Sequence, residues 1–218
     1  MEAAATVIIE TEAAWGEGEM MGALMMDVKG AFPTVNRQCL IKKMREMGID
    51  EDLTGWTSSF MTNREAVIEI NGENGEPIQT DTGLPQGSPT SPILFLIYIA
   101  DLGKEVEEAH QGTIGLSFVD DVTWLVRGKT ADQVARKLER CATTTLGWAQ
   151  RNAVTFETEK TEAILFTRKR NRMREVRQNI KVGTHSVKFS REAVRWLGVW
   201  LDAKLTLKHH HQTWTTKA

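Results

Sequence analysis

Two cysteines, Cys39 and Cys141, stand alone in 218 residues. So thin a supply excludes a disulfide framework and gives no support to a thiolate-bound metal. Long apolar runs are missing as well. The longest, "ILFLIYIA" at 93–100, falls well short of a membrane span and reads as a buried core helix. A basic leader is also missing: the chain opens "MEAAATVIIETEAAW", acidic where a secretory signal is positive. No internal repeat or low-complexity segment occurs. These absences leave an intracellular folded protein as the expectation. The 41% hydrophobic and 26% charged residues suit one ordinary domain and part of another.

Charge is nearly balanced overall, with 27 basic against 29 acidic residues, but it is unevenly spread. Residues 165–218 hold 13 Lys and Arg against 3 Asp and Glu, whereas residues 1–164 hold 14 against 26. The basic C-terminal part is expected to face a polyanion. Its densest run, "RKRNRMREVR" at 168–177, reads equally as a solvated loop or as a nucleic-acid backbone contact.

The apolar run "GALMMDV" (22–28) predicts a buried strand ending near Asp27. Leu40, Ile41, Met44 and Met47 recur at helical spacing before Gly48. "AVIEIN" (66–71) alternates and meets "GENG", predicting a hairpin whose return leg holds Ile78. The run 93–100 continues into "DLGKEVEEA" as one helix, with Pro89 or Pro92 placed to start it. "TIGLSFVDDVTWLV" (113–126) predicts two strands joined by a two-residue turn, with aspartate supplying the positive φ that such turns need. A helix over 130–151 takes Thr130 as its cap and faces Val134, Leu138, Ala142, Leu146 and Ala149 inward. "TEAILF" (161–166) predicts another strand, with two or three weaker ones after it. The order implies an α/β (α+β) fold, a mixed sheet with helices on one face. The end, "LKHHHQTWTTKA", shows no closing element, and its three adjacent histidines read as solvated rather than metal-binding.

"SFVDDVTW" (117–124) sets two carboxylates side by side between apolar residues. Two unit charges 4 Å apart repel by about 1 kcal/mol in water, and by more where solvent is excluded. A hairpin tip with Asp120 and Asp121, beside a strand ending in Asp27, suits two divalent cations serving phosphoryl transfer. Hard oxygen ligands favour Mg²⁺ or Mn²⁺ over zinc. The bland alternative is an ordinary Asp-Asp turn. "TGLPQGSPTSPILF" (82–95) adds an ordered string: Gly83 and Gly87 permit close backbone approach, Pro85 and Pro89 stiffen the loop, and Gln86 offers an amide.

Taken in order, "MMDVKGAF", "GLPQGSPTSPILF", "SFVDD", "FETEKTEAILF" and "VRWLGVWLD" resemble the palm motifs of reverse transcriptases, those of non-LTR (LINE-like) retrotransposons above all. The resemblance covers about residues 20–205 and implies a right-hand polymerase palm acting as an RNA-directed DNA polymerase. It implies that Asp27 and Asp120 hold two Mg²⁺ ions, for which Mn²⁺ substitutes, with Asp121 assisting. Phe32, in "DVKGAF", matches the position under the incoming sugar; a plain core phenylalanine is the alternative. Pro85, Gln86 and Gly87 match the loop lining the nascent pair. Lys160 matches a lysine that protonates the leaving pyrophosphate, or is a surface residue beside Glu159 and Glu162. Trp196, Leu197 and Gly198 match the primer grip, where Trp196 and Trp200 pack or stack. The implied partners are an RNA template, a DNA primer and deoxynucleoside triphosphates, with no membrane, in nucleus or cytoplasm.

The resemblance divides the chain into a lead-in from the fingers (1–20), the palm (21–190) with a fingers-like hairpin at about 60–80, and a primer-grip hairpin opening a truncated thumb (191–218). The fingers before the palm and the rest of the thumb are expected to be absent, leaving little extension by these residues alone. Two other readings remain at this stage. One is a non-catalytic remnant that binds nucleic acid or a partner. The other is a two-metal nuclease or transposase, which leaves "GLPQGSP" and Phe32 without a reason.

Overall fold

The computed structural model describes residues 2–80, 82–168 and 179–215. The basic run at 168–177 lies, beyond Arg168, outside the described residues. The elements in order are α1 (Glu2–Gly16), β1 (Met20–Asp27), α2 (Arg37–Glu46), α3 (Glu51–Phe60), β2 (Glu65–Ala66), β3 (Glu69–Ile70), β4 (Glu73–Asn74), β5 (Ile78–Gln79) and α4 (Ser91–Ala109). Then follow β6 (Thr113–Phe118), β7 (Asp121–Gly128), α5 (Ala131–Arg151), a 3₁₀ turn (Thr158–Lys160), β8 (Glu162–Phe166), β9 (Ile180–Val182), β10 (His185–Val187), β11 (Val194–Trp196), β12 (Val199–Leu201) and α6 (Lys208–Thr215). Among the described residues no helix is long and apolar enough to cross a membrane. Two compact units interleave along the chain: residues 1–28, 102–148 and 156–218 form one, and residues 29–101 with 149–155 the other.

The first unit is built on a four-stranded sheet in the order β6-β7-β1-β8. Its α/β character is as expected, but every pair in it is antiparallel rather than mixed. β1 lies inside the sheet with a layer packed on each face, and its residues 20–26 are all buried. Coverage of the sheet on one face only is also corrected. On one face α5 lays Val134 and Leu138 against Gly22, where any side chain would collide. On the other, Met21, Ala23 and Met25 join Val7 and Ala14 of α1 and Val194, Trp196 and Leu201 of the β11–β12 hairpin. α1 itself was not foreseen. Its inward residues Val7, Thr11 and Ala14 are small, so the sequence shows no strong apolar stripe.

α5 starts as predicted, with the Thr130 hydroxyl accepting from the Gln133 N–H at 3.2 Å. Four short strands follow β8, not two or three, and α6 closes the chain that the sequence left open. α6 sets His209 edge-on to Trp200, with ring centroids 4.7 Å apart.

The second unit holds α2, α3, the short strands β2 to β5 and the start of α4. Asn36 caps α2 by accepting from the Cys39 N–H at 3.0 Å. Leu40 and Met44 are buried there, but Met47 is exposed, because the helix ends one residue before it. The hairpin turns at Asn71-Gly72, where the strand meets "GENG", with φ of 55° and 83°, and its return leg pairs Ile78 with Ala66. Those φ values are the left-handed geometry an Asn-Gly pair favours. In α4, Leu94, Phe95, Tyr98 and Ile99 are buried, whereas Ile93 and Leu96 are exposed, so the apolar run is only half core.

Candidate active site

Asp27 closes β1 and Asp121 opens β7, and the strand register sets them directly opposite each other. Because side chains alternate, both point to the face that carries Met25, Ala23 and the β11–β12 hairpin. Asp120 occupies the turn between β6 and β7, and its carbonyl accepts from the Val28 N–H at 3.0 Å. The positive φ in that turn falls on Val119, at 54°, and not on an aspartate. A β-branched residue held there is strained, and the ladder pairs flanking it impose the conformation.

The electrostatics follow from this crowding. Burial raises the Asp27 carboxyl above its ordinary value, the charge of Asp120 raises it further, Lys160 pulls it back and Glu157 pushes it up again. Asp121 is raised by burial first, then by Asp120 and Asp27. Lys160 stands 3.9 Å from Asp27 Oδ2 and forms a closer ion pair with Glu157, three residues before it. Lys160 is exposed at the surface, as its alternative reading has it, and shares the crevice with Glu162, while Glu159 lies 3.4 Å from His185. The hydrogen bond and charge of Glu157, with some help from Asp27, raise the Lys160 ammonium above its usual range.

Beside these groups a crevice of about 110 Å³ is lined by Asp27, Asp121, Lys160, Glu162, Arg195, Trp196 and Leu197, with Met25 and Met26 at its base. Leu197 and Gly198 form the tip of the β11–β12 hairpin, with φ of 45° and 80°. Trp196 is 4% exposed within the core, so it anchors the hairpin and offers little surface for stacking. Trp200 is half-buried against His209.

Phe32, Pro85, Gln86 and Gly87 belong to the second unit. Phe32 is half-buried and meets the buried Phe95 edge-on at 5.9 Å, so it is at once a packing residue and a partly open ring. The loop before α4 is pinned to the Phe32 turn. The Leu84 N–H donates to the Phe32 carbonyl at 2.8 Å, and a Cβ on Gly83 would lie 2.5 Å from the Pro33 Cα. Arg64 donates to the carbonyls of Thr82 and Gly83 at 2.9 and 2.7 Å. Ser91 donates to the Pro85 carbonyl at 2.6 Å. These ties leave Gln86 and Gly87 exposed at the tip, with Gly87 at φ 87°.

Residues 4–201 match the family described as reverse transcriptase (RNA-dependent DNA polymerase). The chain belongs to the reverse transcriptase family. It is 24% identical over 208 residues to a probable RNA-directed DNA polymerase from transposon BS of Drosophila melanogaster, covering 94% of this chain and 22% of that protein. It is 27% identical over 117 residues to a Pol polyprotein from the type-1 retrotransposable element R2 of Popillia japonica, covering 50% of this chain and 19% of that protein. The chain thus spans about a fifth of the length of the curated relatives it matches. Apo telomerase from Candida tropicalis shares the fold, with a TM-score of 0.66 at 14% identity over 95% of this chain and 35% of that one.

For a reverse transcriptase the question is whether this site fits divalent cations. Among the described residues no group of three or more His, Cys, Asp and Glu side chains is gathered as a ready-made metal cage. The charge balance points the other way. Asp27, Asp121 and Glu162 line the crevice against Lys160 and Arg195, and the charges of Asp120 and Glu157 act on Asp27 from beside it. Carboxylates that raise one another's pKa gain from standing apart until a cation joins them. Their all-oxygen donor set suits Mg²⁺ or Mn²⁺. Asp27, Asp120 and Asp121 are therefore the carboxylates whose mutual repulsion a divalent cation would offset. Glu157 and Arg195 are site residues that the sequence did not single out. The i,i+3 spacing of Glu157 and Lys160 was the one available signal for the first; Arg195 gave none.

Proposed function

We propose that this chain carries the nucleotidyl-transfer centre of an RNA-directed DNA polymerase, adding deoxynucleotides to a primer 3′ end along an RNA template. The observation that carries the reading is the register pair Asp27–Asp121 with Asp120 on the adjoining turn, in a chain of this family. Asp27 and Asp120 are the principal ligands for two Mg²⁺ ions, or Mn²⁺ in their place, and Asp121 adds charge. Bound there, the ions supply activation of the attacking oxygen and charge stabilisation at the leaving one.

The remaining roles belong to the chain's own groups. Lys160, kept protonated by Glu157, donates to the leaving pyrophosphate. The Leu197–Gly198 tip, anchored by buried Trp196, steadies the primer end. Phe32 excludes a 2′-hydroxyl by bulk, and Pro85, Gln86 and Gly87 line the nascent pair.

Because the chain spans about a fifth of its relatives, the test joins it to the flanking segments of the transposon BS polymerase. That chimera is expected to extend a DNA primer on RNA with Mg²⁺. Asp120→Asn should lower the rate about 10²–10³-fold, the scale on which removing preorganised charge stabilisation acts. Phe32→Ala should let ribonucleotides in while keeping extension. Equal extension by the wild type and Asp120→Asn would contradict the assignment.

A further inference from the structure

Lys129, Arg136, Lys137 and Arg140 line a cleft of about 500 Å³ together with Gln133, Glu19 and Gly128. Gly128 pairs with Met20 at the far end of the same two strands whose other end holds Asp27 and Asp121. Seven residue steps at ~3.3 Å put roughly 23 Å between the two ends. This cleft is a separate place from the carboxylate crevice.

The cations are there by construction. Gln133, Arg136, Lys137 and Arg140 recur at i, i+3, i+4 and i+7, so they share one exposed line along α5. The buried Val134 and Leu138 between them seat the helix on Gly22. At the β7–α5 corner the Lys129 N–H donates to the Gln133 side chain at 3.0 Å, and Lys137 Nζ donates to the Arg127 carbonyl at 2.7 Å. Acidic groups nearby are few. Glu19 is the one carboxylate of the lining, while Asp132 and Glu139 stand on α5 and Glu139 accepts from the Lys181 N–H at 3.2 Å. The concentration runs against its surroundings: residues 1–164 hold 14 Lys and Arg against 26 Asp and Glu, yet four of those cations share this one cleft.

The chemistry of the lining selects the ligand. It offers guanidinium and ammonium groups with one amide, and no large apolar side chain to enter a lipid surface. Arg136 and Arg140 are one helical step of four residues apart, about 6 Å along the axis, on the scale of successive phosphates in a strand. We propose that this cleft binds the sugar–phosphate backbone of a nucleic acid, at a site remote from the carboxylates and independent of them.

The test is anisotropy of a labelled single-stranded RNA titrated with the full chain across a salt series. Arg136→Gln/Arg140→Gln should keep its circular dichroism, since both side chains are exposed. Losing two phosphate contacts should make the slope of log K against log salt shallower by about 1.4 and weaken binding about 25-fold at about 0.1 M salt. The extension assay on Asp120→Asn reads the polymerase centre separately, so failure here is distinguishable from failure of that reading. In the wild type, RNA should also protect Arg136 and Arg140 from phenylglyoxal, a readout that needs no variant. Unchanged affinity and slope in the double variant, or no protection, would overturn the proposal. So would binding to phosphatidylserine vesicles that depends on these arginines while RNA binding does not.

Discussion

Asp27 and Asp121 hold their protons more tightly in the folded chain than a carboxyl does in water, because burial and then neighbouring negative charge disfavour ionisation. The native state therefore binds more protons than the unfolded chain between the ordinary and the raised values. The stability these two groups contribute is complete below about pH 4, the ordinary carboxyl range, and is lost as pH rises through their raised folded values. With divalent ions chelated, Asp27→Asn and Asp121→Asn should gain on the wild type as pH climbs through that window. Urea midpoints across the pH series read this directly, and parallel curves would contradict the assignment. Lys160 follows the same sign in a higher window: its value is raised too, so its contribution is complete below the ordinary lysine range and is lost as pH climbs through the raised value. The cause is Glu157 first, by hydrogen bond and charge, and Asp27 after it. Val119 is the residue where reasoning from types failed. The turn was foreseen, but its positive φ was given to an aspartate, because no local rule places a β-branched residue there.

At the scale of elements, the contact that fixes β1, and with it Asp27, is the seat of α5 on Gly22. A Cβ at Gly22 would stand 2.2 Å from Val134 Cγ1 and 3.1 Å from Leu138 Cδ1. Gly22→Ala should therefore cost about 2 kcal/mol through overpacking. Adding Val134→Ala should recover about 1 kcal/mol relative to the sum of the single changes, since the two share one space. Chemical denaturation of the four proteins closes the cycle, and strict additivity would show that α5 does not rest there. The long elements were legible because their patterns are long: the apolar β1, the β6–β7 hairpin and the inward line of α5 all stand where the sequence put them. Strand direction was not legible, since alternation is the same in parallel and antiparallel pairs and only the pairing settles it. Nor was α1, whose inward face of Val7, Thr11 and Ala14 is too small and mixed to mark a helix.

For the molecule as a whole, the sequence pointed to Asp27, Asp120 and Asp121 and set the hairpin tip beside the strand ending in Asp27, but it could not give the register that pairs Asp27 with Asp121. Their meeting depends on strands far apart in sequence adopting one register. Glu157 escaped notice because a single charge in a polar stretch resembles any other, and Arg195 because the apolar residues around it drew the reading. The uneven charge seen in the sequence also takes a new form, since a basic cleft lies within the acidic portion of the chain. The polymerase reading rests above all on the carboxylates at the end of β1 and the start of β7 being a cation site. The most direct measurement is the melting temperature of the full chain in chelator and then in rising Mn²⁺ or Mg²⁺. A ligand that binds the native state alone, at a hundredfold excess over its Kd, stabilises by about 2.7 kcal/mol, or about 5–10 °C for a chain of this size. The wild type should show that rise and Asp120→Asn should lose most of it. If the two proteins respond alike, these aspartates do not hold the metal and the polymerase assignment loses its centre.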